Sequence, residues 1–206
     1  MSSCKKKKIF LLFGKKKFLS FIFFSQMEDL ILQRYWSLWH DIMWTDLRLV
    51  GSFGTVVEFW KLFNAIADVS NLEHKTNLRL FIKNVKPTRE DETNANGGQW
   101  IVQFYRDSFI DDIFINLVLD TIGGNLEHLN VTGIELNVRD RGHRISMWTK
   151  NYDSTFFETL NQTCGKSVVS IVYKRHKDIV DNHSTFKATS TFAFKKPVLK
   201  TLKKLV

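Results

Sequence analysis

Three arginines lie within six residues of one another, in a stretch that contains a glycine. Arg139, Arg141 and Arg144 flank Gly142. Guanidinium groups bind phosphate through paired, charge-assisted hydrogen bonds, so this grouping has the chemistry of a phosphate clamp. A solvated turn with three charged side chains explains the same residues. The sequence therefore offers one candidate anion site and leaves its use open.

A loop tryptophan and a short acidic run have the chemistry of base recognition. Trp44 precedes a strand-like run, and an indole in a loop often serves as a stacking platform for a base. Residues 90–92 are Glu-Asp-Glu, and a carboxylate there can accept hydrogen bonds from N1–H and N2–H₂ of a guanine. The alternatives are a buried indole and a solvated acidic loop.

The sequence contains no comparable group of residues for catalysis or metal binding. The six histidines show no metal-ligand spacing, and the two cysteines, Cys4 and Cys164, form neither a C-x-x-C site nor a disulfide framework. No G-x-S-x-G motif and no Gly-rich phosphate loop occurs. We therefore expect a protein that is not an enzyme and has no metal or cofactor, in the reducing cytoplasm.

Positive charge is concentrated at the two ends of the chain. The 206 residues have a formal net charge of +9, but residues 1–26 contain seven Lys, residues 195–206 contain five, and neither segment contains an acid. Residues 27–194 then have a net charge of −3, which excludes a general basic coat for nucleic acid. We expect 1–26 to be disordered or not part of the native protein, 27–194 to form one domain, and 195–206 to be a basic tail. The apolar runs of 1–26 are too short to span a membrane.

Strands and amphipathic helices are expected around these residues. Thr55 and Glu58 form a capping box, which predicts a helix that runs to about Ala67. The apolar arc of this helix is about 160° wide, which either wedges it deeply into the core or presents a flank to a partner.

The other predicted helices open at Ser108-x-x-Asp111 and Thr155-x-x-Glu158 and end at Gly123-Gly124 and near Gly165. The predicted strands are Asp46–Phe53, Leu78–Lys83, Trp100–Arg106, a hairpin of 134–138 and 145–147, Val168–Tyr173 and Thr189–Phe194, with a loop at Lys86–Gly98. This order predicts an α+β fold with one antiparallel sheet and helices on one face.

Several motifs built around tryptophan and glycine follow one another along the chain. They are Trp36-Ser-Leu-Trp39, the stretch from Trp44 to Trp60, Lys86–Glu92 with Gly97-Gly98-Gln-Trp100, Ile122-Gly123, and Asn137–Thr149. In order and spacing they resemble the eukaryotic translation initiation factor 4E family, which binds the messenger-RNA cap, over about Leu32–Phe194. The resemblance implies a curved antiparallel sheet with three helices on its convex face.

The resemblance also implies roles for residues on both faces of that sheet. Trp44 would stack on the 7-methylguanine base of the cap, Glu90 would bind the guanine edge, and Trp148 would contact the methyl group. The residues that would hold the cap phosphates are Arg139 and Arg144, assisted by Arg141. The residues that would receive a Tyr-x-x-x-x-Leu-Φ helix, from a 4G-type scaffold factor or an inhibitor, are Val56, Trp60 and Ile115.

Arg89 stands where the family has its second stacking tryptophan. Methylation at N7 makes the base cationic, and repulsion by a guanidinium at stacking distance is of order 1 kcal/mol even in water. Loss of one aromatic face removes about 1–3 kcal/mol more. The resemblance thus implies a cap affinity that is lower by roughly 10- to 1,000-fold, unless Arg89 binds a phosphate or a following nucleotide.

Two functions follow from these residues. The first is a cytoplasmic, monomeric translation initiation factor that binds the 7-methylguanosine 5′ cap of mRNA and recruits a scaffold factor through its helical face. The second is a divergent paralogue that binds cap weakly or not at all and acts as a protein-interaction module or translational regulator. Arg89 favours the second function, while Trp44, Glu90 and the three arginines favour the first.

Overall fold

Eight strands and five helices make up the described part of the chain. The computed structural model describes residues 30–43, 45–105, 109–140, 142–181 and 190–193. The strands are β1 (Ile31–Ile42), β2 (Thr45–Thr55), β3 (Thr76–Ile82), β4 (Gly98–Phe104), β5 (Val131–Asn137), β6 (Arg144–Thr149), β7 (Val168–Arg175) and β8 (Ser190–Ala193). The helices are α1 (Val56–Phe63), α2 (Glu92–Ala95), α3 (Ile110–Ile122), α4 (Thr155–Cys164) and α5 (His176–Asp181).

All eight strands belong to one curved antiparallel sheet, in the order β2-β1-β3-β5-β6-β4-β7-β8. Side chains alternate between the two faces along each strand. One face packs against α1, α3 and α4, and we call it the helical face; we call the opposite one the open face. The predicted α+β class with a helix-backed antiparallel sheet is therefore confirmed.

The main hydrophobic core lies between the helical face and the three longer helices. Both sides of this interface supply fully buried apolar side chains. Examples from the sheet are Trp36, Leu80, Trp100, Ile134, Leu136 and Ile171, and examples from the helices are Phe59, Leu117 and Leu160. Burial of one such side chain contributes about 1.5–3 kcal/mol, so this layer dominates the stability of the fold.

Helix α1 begins as the sequence predicts and ends earlier. Thr55 Oγ1 accepts a hydrogen bond from the Glu58 N–H (3.2 Å), and Glu58 Oε2 accepts one from the Thr55 N–H (3.1 Å). The Gly54 N–H, which also donates to Glu58 (2.8 Å), is the main cause of a lowered pKa for that carboxyl group. The predicted end near Ala67 is wrong: the helix stops at Phe63 because the Ala65 N–H bonds to the Leu62 carbonyl in a tighter turn.

The N-caps predicted for the other two long helices are wrong. Helix α3 has Phe109, not Ser108, as its N-cap, and Asp111 Oδ1 instead accepts a hydrogen bond from the N–H of Ser70 (3.3 Å). Thr155 is the first residue inside α4. Its N–H and hydroxyl group both donate to Asp153 Oδ1 (2.9 and 2.6 Å), so a carboxylate one residue before the N-cap takes over the capping.

The ends of α3 and α4 and the hairpin agree with the predictions. Helix α3 ends before Gly123-Gly124, and α4 ends before Gly165. Strands β5 and β6 pair as a hairpin whose turn contains Gly142 at φ +123°, a backbone conformation that other residues rarely adopt. Strand β1, the short helix α2 inside the predicted loop, and α5 have no counterpart among the predicted elements. No helix in the described ranges has the length and apolarity that crossing a membrane requires.

Candidate functional site

Five buried polar side chains form a closed ring of hydrogen bonds on the open face. They come from three neighbouring strands: Asp41 of β1, Asn77 and Arg79 of β3, and Glu135 and Asn137 of β5. Asn77 donates to Asp41 (2.6 Å), and Asn137 donates to both Asn77 (2.8 Å) and Glu135 (3.0 Å). Arg79 closes the ring, because its Nε donates to Glu135 (3.1 Å) and its Nη1 to Asp41. We call these residues the polar ring.

The polar ring contains two carboxyl groups and one guanidinium group. Asp41, Arg79 and Glu135 are each at most 2% exposed. Buried charges need partners because they have lost hydration, and Arg79 bonds to both acids. The formal charge of the ring is −1, so it attracts further positive charge to this face of the sheet.

Trp148 is attached to this ring. Its Nε1–H donates to Glu135 Oε2 (3.3 Å), and its ring packs against those of Phe81 (centroids 5.2 Å apart) and His176 (4.3 Å). Phe81 can lie here because the neighbouring strand has Gly133, where a Cβ would come within 2.6 Å of the Phe81 ring. Trp148 is only 1% exposed and belongs to a small second cluster, separate from the main core.

His176 supports Trp148 as a neutral side chain. It is fully buried, and its Nδ1 lies 2.8 Å from the carbonyl oxygen of Asn94, which identifies Nδ1 as the protonated nitrogen. Burial lowers the pKa of His176 to about 4. The imidazole is therefore uncharged at neutral pH and adds no positive charge beside the Trp148 ring.

The loop after β3 carries Arg89 and Glu90 to the open face. Asp91 accepts hydrogen bonds from the N–H groups of Lys86 (2.9 Å) and Thr93 (3.0 Å), and Asn94 donates to the carbonyls of Lys86 and Thr88. These bonds fix the loop, and the Arg89 guanidinium lies over the Trp148 ring, 5.7 Å from its centroid. Burial lowers the pKa of Arg89, while the negative charges of Glu135 and Glu90 oppose that shift. The Glu90 side chain is exposed.

The arginines of the β5–β6 hairpin lie at the other end of the ring. Arg139 is half-buried, and its guanidinium donates to Asn77 Oδ1 (2.7 Å) and to the Val138 carbonyl (2.7 Å). Burial lowers the pKa of Arg139, and Glu135 opposes this shift. Arg144 is exposed and faces Asn137 across the strand pair. The ring thus connects Trp148 to Arg139 through Glu135, Asn137 and Asn77.

Two predicted cap contacts lie outside the described residues, namely Trp44 and Arg141. The Met43 N–H donates to the Lys75 carbonyl (3.1 Å), and the Lys75 N–H donates to the Val138 carbonyl (3.1 Å). Met43 is therefore connected through Lys75 to the residue that precedes Arg139. Of the residues expected to contact cap, the structure brings Arg89, Trp148, Arg139 and Arg144 to one face, with Glu90 at its margin.

The wide apolar arc of α1 is explained by burial against the helical face of the sheet. Val56 and Trp60 are more than nine-tenths buried, and Ile115 of α3 is half-buried. Val57 and Phe59 are buried as well, so the buried residues of α1 span an arc of about 160° around the helix. This burial explains the arc without a partner. The partner-binding role of Val56, Trp60 and Ile115 remains a prediction.

The polar ring was not predicted from the sequence. Its signal was present, because Asn77 and Arg79 in β3, and Glu135 and Asn137 in β5, alternate with apolar residues. Alternating polar residues usually indicate a solvated face, whereas here they are buried, with Trp148 bonded to Glu135 and Arg139 bonded to Asn77. Two other features bear on catalysis. Burial raises the pKa of Cys164 to about 12, and no group of three His, Cys, Asp or Glu suited to a metal occurs within the described ranges.

Two of the solved structures with a similar fold come from nematodes. The chain superposes on Ascaris suum eIF4E-3, solved with m2,2,7G cap, with a TM-score of 0.67 and 28% identity, covering 79% of this chain and 98% of that one. It also superposes on C. elegans eIF4E-3, solved with the 4E-binding protein Mextli and cap analog, with a TM-score of 0.66 and 26% identity, covering 79% and 99%.

Sequence relatives agree with the structural ones. The chain is 37% identical over 130 residues to eukaryotic translation initiation factor 4E-2 of Schizosaccharomyces pombe, which covers 58% of this chain and 54% of the relative. It is 32% identical over 170 residues to eukaryotic translation initiation factor 4E of Dictyostelium discoideum, covering 74% and 68%. The chain thus spans little more than half the length of the S. pombe relative. The model of the family described as Eukaryotic initiation factor 4E matches residues 31–191, and the chain belongs to this family.

Proposed function

We propose that this chain is a cytoplasmic translation initiation factor that binds the 7-methylguanosine 5′ cap of mRNA and performs no reaction. Within the domain 27–194, Trp44 and Trp148 contact the base, Glu90 binds the guanine edge, and Arg139, Arg141 and Arg144 neutralise the phosphates. Val56, Trp60 and Ile115 recruit a 4G-type scaffold factor or an inhibitor with a Tyr-x-x-x-x-Leu-Φ helix. The chain acts as a monomer in these complexes.

The observation that carries this proposal is the layout of the open face. Trp148 and the loop of Arg89 and Glu90 lie at one end, and Arg139 and Arg144 lie at the other. A guanine nucleotide presents the same arrangement, with a flat base at one end and a run of phosphates at the other. The solved relatives carry cap or a cap analog, which supports the same ligand class.

Retention on immobilised 7-methyl-GTP tests this function. We expect the chain to be retained, to elute with free 7-methyl-GTP, and to resist elution with GTP. Trp44→Ala removes the predicted stacking face, worth about 1–3 kcal/mol, and should lose retention. Trp100→Phe, a change in the main core, is the matched control and should be retained. Equal elution by both nucleotides, or retention of Trp44→Ala, would contradict the proposed site.

A further inference from the structure

Arg89 lies over the face of the Trp148 ring. Its guanidinium lies 5.7 Å from the centroid of the indole, a distance at which a cation is attracted to the ring. Its Nε is buried and has no hydrogen-bond partner among the described residues. What holds the side chain in place is the face of Trp148 and the negative charge of Glu135 and Glu90, against repulsion from Arg79.

The carboxylates of Glu135 and Glu90 favour positive charge beside the Trp148 ring, while Arg79 and Lys174 oppose it. Glu135 accepts the indole N–H, and a hydrogen bond to a carboxylate increases the electron density that attracts a cation to the ring face. The polar ring, which contains Glu135, has a formal charge of −1, and its side chains are almost inaccessible to solvent. His176, which packs against the same indole, is neutral.

A methylated cap base and a guanidinium group are both planar cations, although the base is the larger of the two. Both are flat and delocalise their charge, and both are attracted by an indole face and by carboxylates. Unmethylated guanine has the same shape without the charge. A site that already holds a guanidinium group therefore has the chemistry to distinguish the two bases.

We propose that Trp148, Glu135 and Glu90 form a cation site that Arg89 occupies in the free protein, and that the cationic base of the cap binds by displacing Arg89. This inference rests on the proposed cap-binding function and adds how methylation is recognised. Glu135 favours the methylated base through its charge, although it is too buried to bond to the base directly. Arg89 competes with the methylated base and thereby sets the affinity.

The ratio of two dissociation constants tests this site. Both 7-methyl-GTP and GTP carry the same triphosphate, so the ratio of Kd for GTP to Kd for 7-methyl-GTP cancels the contribution of the phosphates. We expect Arg89→Gln to raise this ratio about tenfold, because the competing charge is removed, and Glu135→Gln to lower it about tenfold. Arg89→Lys keeps the charge and should leave the ratio within about twofold of the original.

Asp41→Asn is the matched control for Glu135→Gln. It also removes a buried carboxylate that bonds to Arg79. Asp41 is not among the charged groups that act on Arg89, which include Glu135, Glu90, Arg79 and Lys174. We expect a smaller change in the ratio than in Glu135→Gln, because Asp41 belongs to the same ring but does not bond to Trp148. If Glu135→Gln fails to fold in a thermal unfolding scan, the contrast between Arg89→Gln and Arg89→Lys decides the question.

Three results would overturn the inference. The first is an unchanged ratio in Arg89→Gln, and the second is an unchanged ratio in a folded Glu135→Gln. The third is an equal shift in Asp41→Asn, which would identify a general effect of the polar ring. If 7-methyl-GTP binds and the ratio does not respond, only the cation site fails. If neither the original chain nor Arg89→Gln binds 7-methyl-GTP, the proposed function fails with it.

Discussion

The two faces of the sheet are both buried, but by different chemistry. The helical face is closed by apolar side chains that pack against three helices. The open face has two carboxyl groups, a guanidinium group and two amides in a buried ring beside the Trp148 cluster. The helical face therefore provides stability, whereas the open face keeps polar groups in fixed positions at an energetic cost.

The largest expected effect comes from breaking the charge balance of the polar ring. Arg79→Leu leaves two buried carboxyl groups without their cation, and we expect it to lower the free energy of unfolding by about 3–5 kcal/mol. The combination of Arg79→Leu with Asp41→Asn and Glu135→Gln should recover most of that loss, because no buried charge remains. Urea unfolding at pH 7 measures both.

Leu80→Ala provides the contrast on the helical face. It creates a cavity and should cost about 2–5 kcal/mol, a loss that no change in the polar ring restores. If the triple variant were as unstable as Arg79→Leu alone, packing rather than charge would hold the open face together.

The next effect is a dependence of stability on pH that arises from His176. The folded protein holds the pKa of His176 at about 4, while the unfolded chain has the ordinary value of 6.5. The unfolded state therefore binds the proton first as the pH falls. The contribution of neutral His176 to stability, which is complete above pH 6.5, is lost progressively as the pH falls to about 4.

Between pH 7 and pH 5 this linkage amounts to roughly 2 kcal/mol of unfolding free energy. Urea midpoints at the two pH values measure it, and His176→Gln should remove most of the difference. An equal difference in His176→Gln would assign the pH dependence to other groups.

The two faces also differ in how far the sequence could predict them. The helical face follows from apolar periodicity and caps: the capping box of Thr55 and Glu58 and the stop at Gly123-Gly124 are both confirmed. The misplaced caps of α3 and α4 show the limit of this approach, since Asp153 caps α4 and a neighbouring loop bonds to Asp111.

The open face could be predicted only in part. The resemblance indicated Arg89, Trp148, Arg139 and Arg144, and these residues do lie on that face. The polar ring was not predicted, because Asn77 and Glu135 alternate as solvated residues would. Their burial results from pairing among β1, β3 and β5 and from their bonds to Arg139 and Trp148, which are properties of the tertiary fold.

Trp60→Ala separates the two faces functionally. We expect it to weaken binding of a Tyr-x-x-x-x-Leu-Φ peptide by about 30-fold, or 2 kcal/mol, because a tryptophan at an interface often dominates binding. The Kd for 7-methyl-GTP should stay the same. Isothermal titration calorimetry with each ligand measures both, below the unfolding temperature of the variant, since Trp60 is also largely buried. Undiminished peptide binding would place the partner site elsewhere.

Arg89→Trp has the smallest expected effect. It replaces the guanidinium with a second aromatic face, and we expect it to tighten 7-methyl-GTP binding about tenfold, or 1.4 kcal/mol. Fluorescence titration gives the Kd. Weaker binding would show that Arg89 is itself a contact to the ligand, for example to a phosphate, rather than a competitor.

The most direct test of the central claim is a tryptophan-fluorescence titration of the full chain with 7-methyl-GTP and, in parallel, with GTP. Our account predicts strong saturable quenching by the methylated nucleotide and at least tenfold weaker binding of GTP. Equal Kd values for the two nucleotides, or no quenching by either, would contradict selective cap binding.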